Sequence, residues 1–267
     1  MWGLFFARSP ATLVLTVLAS EISHRQLCVT CYSVVMTYPG GKGAAGTAQT
    51  IINEQPPHRV YIEPFLGSGA VLRLKRPAAV NIGIDLDAGC IASWGVAARP
   101  DFTFSCKDSL TYLRSEALPA DTLVYADPPY PLSCRARPRR YYKHEMTDAQ
   151  HCELLLILQS LPCMVQLSTY SNPMYDEALR SWRLVTFQSA TRGGMATEHL
   201  YMNYPAPAAL HDYRFLGRNY RERERIRRKT VRWAARLARL PALERLALYS
   251  AIASSINSAG DADLNTK

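Results

Sequence analysis

The sequence predicts an α/β fold built on a largely parallel β-sheet that ends in an antiparallel hairpin. From residue 58 onward, short apolar runs alternate with amphipathic ones, which is the pattern of βα units. The 267 residues are 48% hydrophobic and 20% charged, so the chain can bury a globular core. Two late apolar runs are joined through Arg192-Gly193-Gly194, and we expect them to pair as a hairpin at one end of the sheet.

The expected elements follow one another in regular order. Short apolar runs predict strands at 60–62, 81–85, 102–106, 122–126 and 164–168, and hairpin strands at 184–188 and 199–204. Amphipathic segments predict helices at 70–75, 88–98 and 110–116. Thr147 and Gln150 form a capping box that opens a helix ending before Pro162. Two C-terminal helices are expected at 221–239 and 242–256, the first with an apolar stripe that packs inward: Ile226, Thr230, Trp233, Leu237 and Leu240.

The formal charge of +9 is unevenly distributed along the chain. Residues 218–239 hold ten basic residues and two acids, and residues 131–143 hold five basic residues and no acid. A mildly acidic body with two basic segments suggests a polyanionic partner, for which nucleic acid is the usual candidate. Alternatively, the two basic segments are only a charged loop and a charged helix that face solvent.

The remaining composition limits the organisation of the chain. Seven scattered cysteines indicate free thiols in a reducing cytoplasm, and the Cys28-x-x-Cys31 pair lacks the second pair that a zinc site needs. The apolar run at 9–20 is too short to span a membrane, which takes about 20 residues. We expect an N-terminal extension over 1–35, a main domain over 36–205, a basic helical appendage over 206–256 and a disordered tail over 257–267.

The first chemical motif is EPFLGSGAV at 63–71, directly after the first strand. Its glycines let the backbone turn tightly near a nucleotide-like ligand at the carboxyl end of the sheet. Leu72 leaves the dinucleotide fingerprint incomplete, which argues against a nicotinamide cofactor. Asp85 ends the second strand and can accept hydrogen bonds from ribose hydroxyls, as in S-adenosylmethionine sites. Alternatively, Asp85 and Asp87 only cap the next helix.

The segment YPGGKG at 38–43 resembles a phosphate loop, but Gly43 follows Lys42 where that loop needs Ser or Thr. We therefore expect Lys42 to meet a carboxylate.

The decisive motif is DPPY at 127–130, at the end of an apolar strand. Two prolines stiffen the turn, so the Asp127 carboxylate and the Pro128 carbonyl can point outward in fixed geometry. Such a pair can accept both hydrogens of an exocyclic amino group. The Tyr130 ring is expected to stack on the base that carries this group.

These motifs, in this order, resemble the Dam-type DNA adenine methylases, amino-methyltransferases that use S-adenosylmethionine. The resemblance runs from Tyr38 to about Tyr204 and includes the later STYSN and TRGGMATEHL segments. The C-terminal run YRFLGRNYRERERIRRK is similar to that of prophage-associated members. The resemblance implies a Rossmann-like class I methyltransferase sheet with C-terminal basic helices, in a cytoplasmic protein encoded by a bacterium or a phage.

The resemblance also implies roles for individual residues. Asp85 would hold the cofactor ribose and Asp108 would meet the adenine edge of the cofactor. The remaining cofactor contacts would come from Tyr38, Gly40, Gly41, Lys42, Glu63, Pro64, Phe65, Gly67, Ser68 and Gly69. The catalytic residues would be Asp127, Pro128, Pro129 and Tyr130. No metal is required. Nucleic-acid contacts are expected from Arg135, Arg137, Arg139, Arg140, Tyr141, Tyr142, Lys143, Arg192, Arg221, Arg225 and Arg228.

The expected activity is methylation of adenine N6 in DNA after base flipping, by a protein without membrane contact and favoured as a monomer. Only 20 residues separate Asp87 from Asp108, and 18 separate Asp108 from Asp127. This leaves no room for a recognition domain, so we expect short or relaxed sequence specificity, read by residues 131–146. The alternatives are a cytosine N4-methyltransferase, an RNA or protein amino-methyltransferase, and an inactive DNA-binding relative.

Overall fold

The computed structural model describes residues 41–43, 46–94, 100–135, 140–191 and 194–264, with side chains described as far as residue 255. The expected N-terminal extension over 1–35 lies outside these ranges. Seven strands form one sheet: β1 (Val60–Glu63), β2 (Val80–Asp85), β3 (Phe102–Cys106), β4 (Thr122–Ala126), β5 (Met164–Tyr170), β6 (Arg183–Thr191) and β7 (Gly194–Met202).

The spatial order of the strands is β3-β2-β1-β4-β5-β7-β6. All neighbours pair in parallel except β7, which is antiparallel to both β5 and β6. This topology confirms the predicted Rossmann-like class I methyltransferase sheet. The chain moves outward from β1 to β3 and then returns to β4, so a crevice opens between β1 and β4 at their carboxyl ends.

The central strands are buried along most of their length because helices cover both faces of the sheet. Every residue of β1 and of β4 is buried. One face packs around Val124, Leu158 and Leu167, and the other around Ile52 and Leu72. Each fully buried leucine or isoleucine contributes about 1.5–3 kcal/mol relative to an exposed one, so this core fixes the strand ends that carry polar residues.

The predicted helices lie close to their expected positions, and two further helices, Thr47–Ile52 and Pro173–Ala178, were not predicted. The capping box predicted from Thr147 and Gln150 is present. The predicted helix at 88–98 is shorter, because its regular part ends at Ala92 and residues 95–99 lie outside the described ranges. The helices are α1 (Thr47–Ile52), α2 (Ala70–Leu74), α3 (Ala88–Ala92), α4 (Ser109–Ser115), α5 (Asp148–Ser160), α6 (Pro173–Ala178), α7 (Tyr220–Ala238) and α8 (Ala242–Leu264).

The predicted β6–β7 hairpin is confirmed, and both strands are longer than expected. Arg183 pairs with Met202 at one end and Thr191 with Gly194 at the other. Gly194 has a φ of 118°, a conformation that favours glycine. Arg192 and Gly193 of the predicted turn lie outside the described residues.

The C-terminal helices differ from the prediction. The stripe on α7 was expected to pack, but no residue of α7 is buried and the Trp233 side chain is 53% exposed. On α8, Leu243 is 81% exposed. An amphipathic pattern shows which face of a helix can pack, and here no described part of the chain covers it. The helix α8 continues to Leu264, past the expected helix end at residue 256, and residues 265–267 of the expected tail lie outside the described ranges.

Three further observations concern the described residues. Cys106, Cys134, Cys152 and Cys163 are free thiols, as expected. In the described ranges, no group of three or more His, Cys, Asp or Glu side chains could hold a metal ion. Within the same ranges, no helix is long and apolar enough to cross a membrane.

Candidate active site

A pocket lies at the carboxyl ends of β1, β2, β3 and β4. It brings together residues that the sequence analysis assigned to two functions, cofactor binding and catalysis. Pro64, Pro128 and Tyr130 are buried next to the pocket and are not in its lining, while Tyr38 and Gly40 lie outside the described residues. The predicted residues that line the pocket are Gly41, Lys42, Glu63, Phe65, Gly67, Ser68, Gly69, Asp85, Asp108, Asp127 and Pro129.

The glycine loop after β1 requires its glycines. Gly67 and Gly69 have φ angles of 47° and 58°, in the left-handed region. A Cβ at Gly69 would also collide with the Trp94 ring. The Gly67 amide donates to Asp85 Oδ2 at 2.8 Å, which ties the loop to the end of β2.

The carboxylates at the edge of the pocket differ in the groups to which they are already hydrogen-bonded. Asp85 accepts from the amides of Gly67 and Asp87, each at 2.8 Å, so it holds backbone on both sides. A carboxylate has about four acceptor positions, which leaves Asp85 with capacity for a ligand. Asp87 caps α3 through the Gly89 amide, which confirms the capping alternative for this residue alone. Asp108 also caps a helix, α4, and lines the pocket.

Glu63 ends β1 and is fully enclosed, with a hydrogen bond of 2.8 Å from the Tyr61 hydroxyl. Burial raises the pKa of Glu63 to about 8 because it removes water from the carboxylate. Burial lowers the pKa of the neighbouring Lys75 to about 7 for the same reason. The Glu63 carboxyl group, which lines the pocket, is therefore mostly protonated at neutral pH.

Lys42 meets a carboxylate, as the sequence predicted. Its Nζ lies 2.9 Å from Asp127 Oδ1 and 3.7 Å from Glu198 Oε1. Burial opposes the charge on Lys42, yet Asp127 and Glu198 raise the pKa of Lys42 well above its ordinary value. Burial also raises the pKa of Asp127 to about 6, although Lys42 acts in the opposite direction. Asp127 is thus ionised at neutral pH.

Tyr130 does not lie where the stacking prediction placed it. Its ring is only 6% exposed, and its hydroxyl donates to Glu198 Oε2 at 2.6 Å and accepts from Lys42. The ring packs edge-on against Tyr170, with centroids 4.6 Å apart. Because two buried charged groups hold the hydroxyl, the ring face is unavailable to a base, and the stacking role is corrected to a supporting one.

Arg135 was expected to bind nucleic acid, and this is also corrected. Its Nη2 lies 2.5 Å from Glu145 Oε2, its Nε donates to the Tyr130 carbonyl at 2.9 Å, and its side chain is 6% exposed. Glu145 in turn accepts from the amides of Tyr141 and Tyr142. Burial alone would raise the pKa of Glu145, but Arg135 and these amides lower it to about 2. Arg135 therefore folds the segment after DPPY rather than binding phosphate.

The segment over 142–146 closes one side of the pocket. Tyr142 lines it beside Asp127, and burial raises the pKa of Tyr142 to about 12. Lys143 forms an ion pair with Asp87 at 2.9 Å. Both were predicted to contact nucleic acid, and the structure places Tyr142 beside Asp127 and Lys143 beside Asp87. Arg140 and Tyr141 are exposed, whereas Arg137, Arg139 and Arg192 lie outside the described residues.

The predicted arginines of α7 form an exposed cationic face. Arg221, Arg225 and Arg228 are all exposed. The two acids of this helix are each shared by arginines: Glu222 approaches Arg218 and Arg225, and Glu224 approaches Arg227 and Arg228. The helix therefore keeps a large excess of positive charge.

The sequence analysis missed Glu198 and Glu145. Glu198 lies inside the quoted TRGGMATEHL segment and is 3% exposed on β7. Glu198 directly precedes the strand predicted at 199–204, and an acidic residue beside an apolar strand could have indicated a buried partner. Glu145 lacked any such pattern, because its partner Arg135 was counted with the basic cluster.

No protein-family model and no curated protein matches the chain. Solved structures do match it. The 23S rRNA methyltransferase ErmE is 13% identical, with 68% of this chain and 73% of that one covered and a TM-score of 0.40. A dimethyladenosine transferase from Plasmodium falciparum is 12% identical, with 59% and 61% covered and a TM-score of 0.39.

A third match is the magnesium protoporphyrin IX methyltransferase from Synechocystis PCC 6803 with bound S-adenosylmethionine. It is 12% identical, with 56% of this chain and 71% of that one covered and a TM-score of 0.38. Likenesses at these identities and TM-scores carry no argument about activity, which has to come from the residues of the chain itself.

Proposed function

We propose that the chain is an S-adenosylmethionine-dependent methyltransferase that methylates the N6 amino group of adenine in DNA. One observation carries this proposal: Asp127, followed by two prolines at the end of the central strand, shares one pocket with the glycine loop and Asp85. The resemblance of the DPPY and glycine motifs to DNA adenine methylases supports adenine as the target.

The chemistry of the pocket lining fits this cofactor. Asp85 and Asp108 are acceptors suited to ribose hydroxyls and to an adenine amino group, and Phe65 with Leu110 offers apolar surface to a purine. Asp127 supplies the negative character that a sulfonium group favours. The cofactor supplies an activated methyl group, which bonds to the lone pair of the target nitrogen as the carbon–sulfur bond breaks and leaves a neutral thioether.

The role of Asp127 is to make an aryl amine nucleophilic. The lone pair of such an amine is delocalised into the ring, so the free base reacts poorly. A hydrogen bond to the Asp127 carboxylate favours a tetrahedral nitrogen and stabilises the positive charge that develops on it. The carboxylate also lies in position to take up the proton that the nitrogen releases. With a pKa of about 6, Asp127 is in the required ionised form at neutral pH.

The target base has to leave the duplex to reach this pocket, at a cost of a few kcal/mol. Tyr142, which lines the pocket beside Asp127, offers a ring where the buried Tyr130 does not. The cationic face of α7 would hold the DNA backbone through its phosphates. With the compact spacing between the strands, this supports short or relaxed sequence specificity.

Tritium transfer from labelled S-adenosylmethionine to unmethylated DNA tests the proposal. The DNA is digested to nucleosides and the labelled base is identified, for wild type, Asp127→Ala and a matched surface variant, Glu177→Gln. We expect label in N6-methyladenine for wild type and for Glu177→Gln. The Asp127→Ala rate should fall by about 100-fold or more, since the loss of one charge-stabilising contact costs about that much.

The other outcomes are equally specific. Label in N4-methylcytosine would keep the reaction and overturn the base, and label only in RNA would overturn the nucleic acid. DNA binding without any transfer would identify an inactive relative. Methylation restricted to one long palindromic site would contradict the expected relaxed specificity.

A further inference from the structure

Glu198 joins the outer hairpin to the reactive end of the sheet. It lies on β7, opposite Tyr170 of β5 and Phe187 of β6, and is 3% exposed. Its Oε2 accepts from the Tyr130 hydroxyl at 2.6 Å, and its Oε1 accepts from Ser189 at 3.0 Å. Both oxygens are therefore held by side chains that are themselves buried.

The same carboxylate reaches Asp127 through one intermediate group. Lys42 Nζ lies 3.7 Å from Glu198 and 2.9 Å from Asp127, so the ammonium group is shared by two carboxylates. Lys42 also donates to the Tyr130 hydroxyl. Glu198 and Asp127 are thus linked twice, through Lys42 and through the DPPY tyrosine.

The charges of the linked groups indicate what the linkage does. Lys42 and Asp127 alone would form a neutral pair, with the ammonium group competing with the target amine for the carboxylate. Glu198 adds a second negative charge, so the buried cluster of Lys42, Asp127 and Glu198 carries a net negative charge when ionised. A net negative site favours the positive charge that develops on the target nitrogen.

We propose that Glu198 is a positioning residue for methyl transfer, holding Lys42 and Tyr130 so that Asp127 faces the target amine within a net anionic cluster. This inference rests on the proposed function. Glu198 acts through other residues, so removing its charge should reduce the rate less than removing Asp127.

The test compares Glu198→Gln with wild type and with Glu177→Gln, a change of the same kind on the exposed surface of α6. Rates at saturating cofactor are measured as kcat and KM for DNA between about pH 5 and about pH 8. We expect kcat for Glu198→Gln to fall about 10- to 100-fold, with KM changed less than about threefold.

The pH profile separates positioning from folding. Glu198 contributes to the raised pKa of Asp127, so its neutralisation should move the acid limb of the profile to lower pH. The tyrosines near Asp127 have raised pKa values and stay neutral in this range, and burial raises the pKa of Glu63 to about 8. Among the described residues, the groups that face Asp127 are Lys42, Glu63, Tyr125, Tyr130, Tyr142, Tyr170 and Glu198.

Each result has one meaning. Transfer by wild type with a Glu198→Gln profile equal to that of Glu177→Gln would overturn the role of Glu198 and leave the proposed function intact. If kcat of Glu198→Gln is lower but the acid limb of its pH profile lies at the wild-type pH, Glu198 has a merely structural role. No transfer by wild type to any nucleic acid would refute the proposed function first, and the inference with it.

A second variant covers the case in which Glu198→Gln does not fold. Ser189→Ala removes one hydrogen bond to Glu198 and keeps every charge of the cluster. We expect kcat to fall about two- to tenfold without a shift of the acid limb. A rate equal to that of wild type would overturn the positioning role.

Discussion

The sheet-end site and the C-terminal helices use charge in opposite ways. Around Asp127, charged groups are buried and bonded to one another, with Lys42 6% exposed and Glu198 3% exposed. On α7 and α8 the charged and apolar side chains are exposed together. Buried charges need fixed partners because they have lost water, whereas exposed charges keep their water until a polyanion displaces it. The first region is organised in advance, and the second depends on what it binds.

The largest expected effect comes from breaking the buried cluster at its cation. Lys42→Met leaves Asp127 and Glu198 without a counter-charge, so we expect unfolding free energy to fall by about 3 kcal/mol at pH 8. Asp127 already has a raised pKa of about 6, and the loss of Lys42 raises that pKa further. The variant carboxyl group takes up its proton at higher pH than the wild type does. The deficit of the variant therefore shrinks as the pH falls from that higher pKa to about 6, and it stays constant at lower pH.

Urea unfolding at about pH 5 and about pH 8 checks this, with the exposed Lys229→Met as control. A deficit of equal size at both pH values would show that Lys42 contributes by packing alone.

The exposed region should show the opposite behaviour, with a change in binding and none in folding. Replacing Arg221, Arg225 and Arg228 by alanine removes three positive charges from α7. We expect the slope of DNA affinity against salt concentration to fall by about three, and kcat at saturating DNA to stay unchanged. Fluorescence anisotropy over a salt series measures this, with Arg180→Ala in the turn after α6 as control. An unchanged salt slope would remove α7 from the DNA-binding surface.

Lys143 lies between the two regions. A Lys143 variant tests whether this residue contributes to cofactor binding at the pocket or to DNA binding. Lys143 pairs with Asp87 at the rim of the pocket, and its side chain is 66% exposed. An ion pair this exposed to solvent contributes little, so Lys143→Met should weaken cofactor affinity by at most about fivefold. DNA affinity should not change. Titration calorimetry with cofactor and anisotropy with DNA separate the roles, and a loss of DNA affinity alone would restore the sequence-based prediction.

The smallest expected effect is a tryptophan substitution that leaves stability unchanged. Trp233→Ala on α7 should change the free energy of unfolding by less than about 0.5 kcal/mol, because the side chain is 53% exposed. The same change at Trp94, which is buried and stacks on Phe104, should cost about 3–5 kcal/mol. Thermal or urea unfolding of both variants compares the regions directly. A large loss for Trp233→Ala would mean that its face is covered in solution.

The sequence predicted those features that depend on neighbouring residues. The apolar run ending at Ala126, the glycine turn and the capping box at Thr147 each follow from local pattern. Lys42 was expected to meet a carboxylate, but the position of Tyr130 depends on Glu198, 68 residues away, and pattern does not reveal such partners. The prediction that Arg135 binds nucleic acid was wrong for a related reason. Its buried ion pair with Glu145 removes Arg135 from the exposed basic cluster.

The strand order also determines when the site can exist during synthesis. β7 leaves the ribosome after every other strand, yet it lies between β5 and β6. A nascent chain that stops before Gly194 has β6 without its neighbour, an open edge on β5 and no Glu198. Such a chain can form the parallel half of the sheet while the buried charge cluster is incomplete. The proposed chemistry therefore becomes available only with the last strand, so a chain truncated within the hairpin would be folded in part and inactive.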